Sequence, residues 1–179
     1  MLLLALNAVA QSSRKPLFPL PKSLNEIPAS SVASTELRAV IAPEFANNSC
    51  KTSGSEKYSA VEIDLQHEGK ASLVRVESDC LCGASGNCPM FVVQKSKVVL
   101  RDADGFAFAQ MPDPKGGSTP DLLIASHTSA NVTSLQRYRW KGGKYKLQDC
   151  EAAVRKDDAK SKWNPEELDV ATCDAIALK

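Results

Sequence analysis

"YSAVEIDLQHEGKASLVRVES", Tyr58 to Ser78, is where the chain changes its hydrophobic period to two. Val61, Ile63 and Leu65 fall on one side of an extended segment with Glu62 and Asp64 on the other. The alternation resumes through Leu73 or Val74, Arg75 and Val76. "QHEGK" between them is a turn, so the stretch predicts two antiparallel strands. Further strands are predicted at Met90–Gln94, Val98–Arg101, Phe106–Gln110, Asp121–Ser126, Thr133–Trp140 and Tyr145–Gln148. The breaks "KSK", "ADG", "PDPKGGSTP" and "KGG" carry the turn chemistry of hairpins. Strand following strand over short turns is a meander.

Working outward, "STELRAVIAPEF" offers Ser34 or Thr35 as N-cap, Glu36 in a first turn, and Leu37, Val40 and Ile41 at helical spacing, with Pro43 bending or ending the helix. At the other end, Asn164 as N-cap, Pro165 at the first helical position and Glu166 and Glu167 near the positive helix end predict a short closing helix carrying Cys173. Residues 11–31 hold Pro16, Pro19, Pro21 and Pro28, spaced so that no helix or strand settles. They read as an extended linker. The expected fold class is α+β: an antiparallel β-meander sheet with a short N-terminal helix and a short C-terminal helix, disulfide-linked, in one domain over residues 32–179.

An internal repeat lays "PMFVVQKSKVVLRD" over "LQRYRWKGGKYKLQD", matching Phe91 with Tyr138, Val93 with Trp140, Leu100 with Leu147 and Asp102 with Asp149. "GKASLVRVES" falls over "GGSTPDLLIASH" in the same way. The unit is close in length to a propeller blade. Two units do not close a propeller, so one curved sheet with the early helix on one face is the expectation.

"MLLLALNAVA", residues 1–10, ends in the small-x-small form of a signal-peptidase site. Its basic n-region is missing and its apolar run is short, as in a start that has lost upstream residues. Spanning a bilayer takes roughly 20 apolar residues, so no membrane span is expected. Six cysteines agree with an oxidising compartment, secreted or periplasmic. A formal charge of +1 gives no reason to expect nucleic acid, and "RYRWKGGKYK" is read as a hairpin with solvated lysines.

Three of the cysteines sit in "CLCGASGNC", Cys80 to Cys88. Zinc wants pairwise C-x2-C spacing, and a redox motif wants C-x-x-C at a helix start. Neither is present, so no metal and no cofactor are expected. A disulfide from Cys82 to Cys88 across the glycine-rich connection is the reading. Cys50 with Cys150 would tie the two ends of the meander, leaving Cys80 with Cys173.

"DLQHEGK" followed by "ASLVRVE" resembles a worn version of the D-x-N-x-D-G turn of FG-GAP or integrin-type repeats, which bind calcium. "LQRYRWKGGKYKLQDC" is similar to the closing strands of such units in small exported bacterial proteins of unknown function. The resemblance covers about Tyr58 to Cys150 and implies degenerate β repeats. Gln66 and Glu68 replace the short ligands of the motif and spoil a tight oxygen cage around Asp64. "SGSEKY" at Ser53 to Tyr58 resembles the S-G-x-x-Y motif of periplasmic lysozyme inhibitors, with one residue too many.

Catalysis has poor material. His127 lies beside Ser126, Thr128 and Ser129, with Asp102 or Asp104 as third member of an imagined Ser/His hydrolase, but no nucleophile-elbow sequence is present. The expectation is a non-catalytic binding or structural module. Its contact residues would be Gly83, Ala84, Ser85, Gly86, Asn87 and His127, and its partner another protein, in an oligomeric state left open. A lysozyme or hydrolase inhibitor and a small secreted hydrolase are the alternatives. Tyr138, Trp140 and Tyr145 serve either as core or as rigid contact area.

Overall fold

The computed structural model describes residues 16–45, 56–82, 84–112, 118–129, 132–155 and 168–173. The predicted alternation does form strands, but they make two sheets instead of one curved sheet. The first contains β2 (Lys57–Asp64), β3 (Lys70–Glu77), β4 (Cys88–Gln94) and β5 (Lys97–Gly105), paired in chain order. The second runs β1 (Asn25–Glu26), β6 (Ala107–Met111), β7 (Asp121–Ser129), β8 (Val132–Trp140), β9 (Tyr145–Arg155), β10 (Leu168–Thr172), with β1 next to β6 at one edge. All pairings are antiparallel.

The two sheets lie face to face. Ile63, Leu73, Met90, Val92 and Leu100 of the first share one buried cluster with Phe108, Leu122, Ile124, Tyr138 and Tyr145 of the second. Gly105 is where the chain crosses between them. A Cβ there would lie 2.5 Å from Ile124 Cγ2 and 2.6 Å from the Ala125 carbonyl oxygen, so only glycine lets the strands approach so closely.

Each outer face is covered as well. The helix α1 (Thr35–Ile41), capped by the Ser34 hydroxyl accepting from the Leu37 N–H, sets Ile41 against Val74, Val76, Phe91 and Val93. Pro43 falls in the 3-10 turn Ala42–Phe45 that follows, and Phe45 meets Phe91 edge to face. On the far side, Phe18 covers Ala107, Leu123 and Leu135 of the second sheet. With both faces covered, β4 and β7 carry unbroken buried runs at Met90–Gln94 and Leu122–Ser126.

The described part of the expected linker is therefore a packed strap. Prolines forbid regular backbone pairing, but they do not prevent burial: Phe18 and Ile27 are both under 4 % exposed, and Asn25–Glu26 pairs with β6. The Leu17 N–H donates to the fully buried Glu151 carboxylate, and the Arg137 guanidinium lies 5.0 Å from the Phe18 ring centre. Residues 1–15 lie outside the described residues, and with them the predicted signal segment.

The C-terminal helix is corrected to a strand over Leu168–Thr172; Cys173, the residue after it, is helical, and residues 174–179 lie outside the described residues. Leu168–Thr172 continues the second sheet by pairing with β9, Leu168 opposite Arg155 and Thr172 opposite Glu151. Five residues joined to a sheet edge satisfy more backbone groups than one isolated helical turn, so tertiary pairing overrides the local start signal. Asn164 to Glu167 fall outside the described residues.

That pairing also corrects the disulfides. Cys82–Cys88 is formed as expected, but Cys150 is joined to Cys173, which excludes Cys150 from Cys50 and Cys173 from Cys80. β10 brings Cys173 beside Cys150 through the Glu151–Thr172 register. Cys80 is disulfide-bonded too, and Cys50 lies outside the described residues.

The sequence repeat coincides with the two meanders, β2 to β5 and β6 to β9. Both end in a hairpin with two consecutive left-handed residues, Lys95 and Ser96 in the first and Gly142 and Gly143 in the second. Both hairpins also shift register at the equivalent place, beyond Met90 and beyond Arg137. The units stack front to back: Phe91 faces the helix whereas its counterpart Tyr138 faces the intersheet core. Met90 and Val92, buried between the sheets, correspond to Arg137 and Arg139 on the outer face of the second sheet. There the arginines are tied to Asp149 and Asp121.

Candidate functional site

The alternation that sends Ala71 and Leu73 of β3 into the intersheet core sends Arg75 the same way, at the end of the strand where the core opens. Its guanidinium donates to the Cys88 sulfur at 3.3 Å and the Gly86 carbonyl at 3.5 Å, and pairs with Glu77 at 3.1 Å. Its Nε is buried with no hydrogen-bond partner among the described residues. Around it opens a cleft of about 650 Å³, lined by Lys57, Arg75, Glu77 and Asp79 and by both half-cystines, Cys82 and Cys88. Two charges of each sign face it.

One wall is the loop between the half-cystines, whose Cα atoms are 4.2 Å apart. Its base is a tight turn in which the Ser78 carbonyl accepts from the Cys82 N–H and the Ser78 hydroxyl accepts from the Leu81 N–H. Its far end is fixed by Asn87. β6 pairs with β7 only as far as Ala125, so it does not reach the next backbone groups that point to that side of β7, those of His127. The Asn87 side-chain amide fills that place: it donates to the His127 carbonyl and accepts from the His127 N–H, both at 2.8 Å. It also donates to the Ser85 hydroxyl at 2.9 Å.

Of the expected contact residues, Ala84, Ser85 and Gly86 are exposed on the loop, Asn87 is half-buried, and Gly83 lies outside the described residues. His127 joins them through its backbone; its ring stacks on Phe106 at 3.8 Å, nearly parallel. The Ser126 hydroxyl donates to the Asp104 carbonyl of the other sheet, so Ser126 and His127 project from opposite faces of β7. The imagined Ser126–His127 pair is not assembled.

Tyr138 and Tyr145 are core. Burial, then the negative charges of Asp104 and Asp102, push the Tyr138 phenol up to about 12. Burial and Asp121 raise Tyr145, whose hydroxyl donates to the Pro120 carbonyl at 2.9 Å. Trp140 packs edge to face on Tyr145. Burial, then Asp102, also raises the Asp104 carboxyl. At the turn resembling a calcium loop, the Asp64 carboxylate accepts from the Gln66 N–H at 2.7 Å. Among the described residues no group of three or more His, Cys, Asp or Glu is placed to hold a metal ion. No helix among them is long and apolar enough to cross a membrane.

The chain matches no protein-family model, no curated protein and no solved structure. The geometry of the cleft is therefore the basis for reading it. Sequence reasoning found the loop but passed over Arg75, although its parity with Ala71 and Leu73 already placed a guanidinium on an inward face. Tyr58, the last residue of the inhibitor-like stretch, lies under the Arg38 guanidinium at 5.6 Å on the helix side, while Ser53 to Ser55 are outside the described residues.

Proposed function

We propose that this chain is an exported, non-catalytic binding module whose charged cleft and Cys82–Cys88 loop receive a polar segment of a partner protein. The observation that carries the reading is the double anchoring of the loop, by the disulfide at its base and by Asn87 on His127 at its end. A loop fastened at its base and at its far end has less entropy to lose on binding, which favours contact through its exposed Ala84, Ser85 and Gly86. Charges of both signs in the cleft suit a segment carrying both signs more than an apolar small molecule, whose sites are lined mainly by hydrophobic side chains. Export is supported by the cysteine content and by the small-x-small end of the apolar N-terminus.

The test is a backbone NMR titration of the full chain with short peptide pools, acidic, basic and mixed-charge. Saturable shifts at Lys57, Arg75 to Asp79 and Ala84 to Asn87 with the mixed pool are expected. A response confined to other surfaces, or none at millimolar peptide, removes the proposal. Adding the protein to a panel of lysozymes, peptidases and esterases, and assaying it alone on their substrates, separates the module from an inhibitor and from a hydrolase.

A further inference from the structure

We propose that Cys82–Cys88 is a thiol-exchange site, in which a thiolate entering the charged cleft attacks Cys82 and Cys88 departs against the Arg75 guanidinium. This goes beyond the binding role and does not depend on it. The two sulfurs are unequal. Both line the cleft, but Cys82 is half-buried whereas Cys88 is 1 % exposed within β4. An incoming thiol therefore meets Cys82 first.

The leaving side is prepared. The Arg75 NH2 group lies 3.3 Å from the Cys88 sulfur, and Glu77 on NH1 fixes the orientation of the guanidinium. A cation at that distance stabilises a thiolate more than a thiol, and a better thiolate leaves faster. The backbone keeps Cys88 in register opposite Gly105, and Asn87 beside it stays fastened to His127, so the sulfur remains in place for reclosure.

In the step, the thiolate sulfur forms a bond to Cys82 Sγ and the Cys82–Cys88 bond breaks, its electron pair passing to Cys88. The products are a mixed disulfide on Cys82 and a Cys88 thiolate. No proton moves. A dithiol completes the reduction by a second attack that releases Cys82 and leaves the dithiol as its own disulfide. The co-reactant is thus a small-molecule or protein thiol.

The test treats the full chain with glutathione at neutral pH, traps free thiols by alkylation and maps the sites by mass spectrometry. The expected result is glutathione on Cys82 and the alkyl label on Cys88. Adducts on Cys88, or on both equally, overturn the proposal. Arg75→Met is expected to slow adduct formation at least tenfold and to shift the exchange equilibrium by a similar factor, about 30 mV in potential, while Arg75→Lys keeps most of the rate. An unchanged rate in a folded Arg75→Met overturns it. Should that variant not fold, the pH dependence of Cys88 alkylation in the reduced wild-type protein decides. A midpoint below the ordinary thiol value of about 8.5 supports the proposal, and one at or above it does the reverse.

Discussion

Asn87 and His127 exchange two hydrogen bonds of 2.8 Å across the boundary between the sheets, a side-chain amide standing in for the strand that β6 does not supply. Asn87→Ala removes both of these bonds from the half-buried backbone of His127. A cost of about 1–3 kcal/mol is expected, with the denaturant slope unchanged. Urea unfolding measures it, and faster amide exchange at His127 locates it.

The first-meander hairpin holds Lys95 and Ser96 at φ of 48° and 57°, where its counterpart uses Gly142 and Gly143. Side chains with a Cβ pay a conformational cost there that Asn-Gly largely avoids. The double substitution Lys95→Asn, Ser96→Gly is expected to stabilise the protein by about 1 kcal/mol, raising Tm by roughly 2–4 °C. Calorimetry reads the shift, and a fall in Tm would show that the turn is not strained.

Tyr138 links stability to alkaline pH. Its phenol titrates near 12 in the folded chain against about 10 when unfolded, so the unfolded state loses its proton first. The contribution is full below pH 10 and drains away as pH rises towards 12, by roughly 1.4 kcal/mol for each unit. Urea midpoints are expected to fall over this interval, less steeply in Tyr138→Phe. Tyr138 and Tyr145, both pushed well upward by burial, should add little phenolate absorbance at pH 10 while the fold persists.

Phe18 tests the strap. Truncating a side chain 3 % exposed, packed on Leu123 and Leu135, is expected to cost about 3–5 kcal/mol. The variant Phe18→Ala should also be cut by trypsin at Lys22 faster than the parent. A variant as stable and as resistant as the parent would restore residues 16–31 to the status of linker.

Much of the fold was legible because its signals are local: the period-two runs from Tyr58 on, the Ser34 cap and the short Cys82–Cys88 spacing each depend on a few neighbouring residues. The repeat pairing Phe91 with Tyr138 marked both meanders correctly. What it did not reveal is that they stack, since the side a residue faces depends on which layer comes to cover it. The strap escaped because proline spacing speaks of backbone pairing, whereas the burial of Phe18 and Ile27 depends on a distant sheet. Leu168–Thr172 became a strand because β9 offers an edge, and the Cys150–Cys173 link followed from that. In the cleft, the loop residues were anticipated, but Arg75 was passed over, because the alternation through Leu73 or Val74 left open which face of the strand it takes.

The front-to-back arrangement of the meanders has a further consequence. An assembly of like units in that orientation has two different ends, so an end left apolar would accept a further unit, closing into a ring or growing into a filament. Here the sequence itself ends the column. The helix seals the leading end, while two arginines occupy the very places that, one layer earlier, hold methionine and valine.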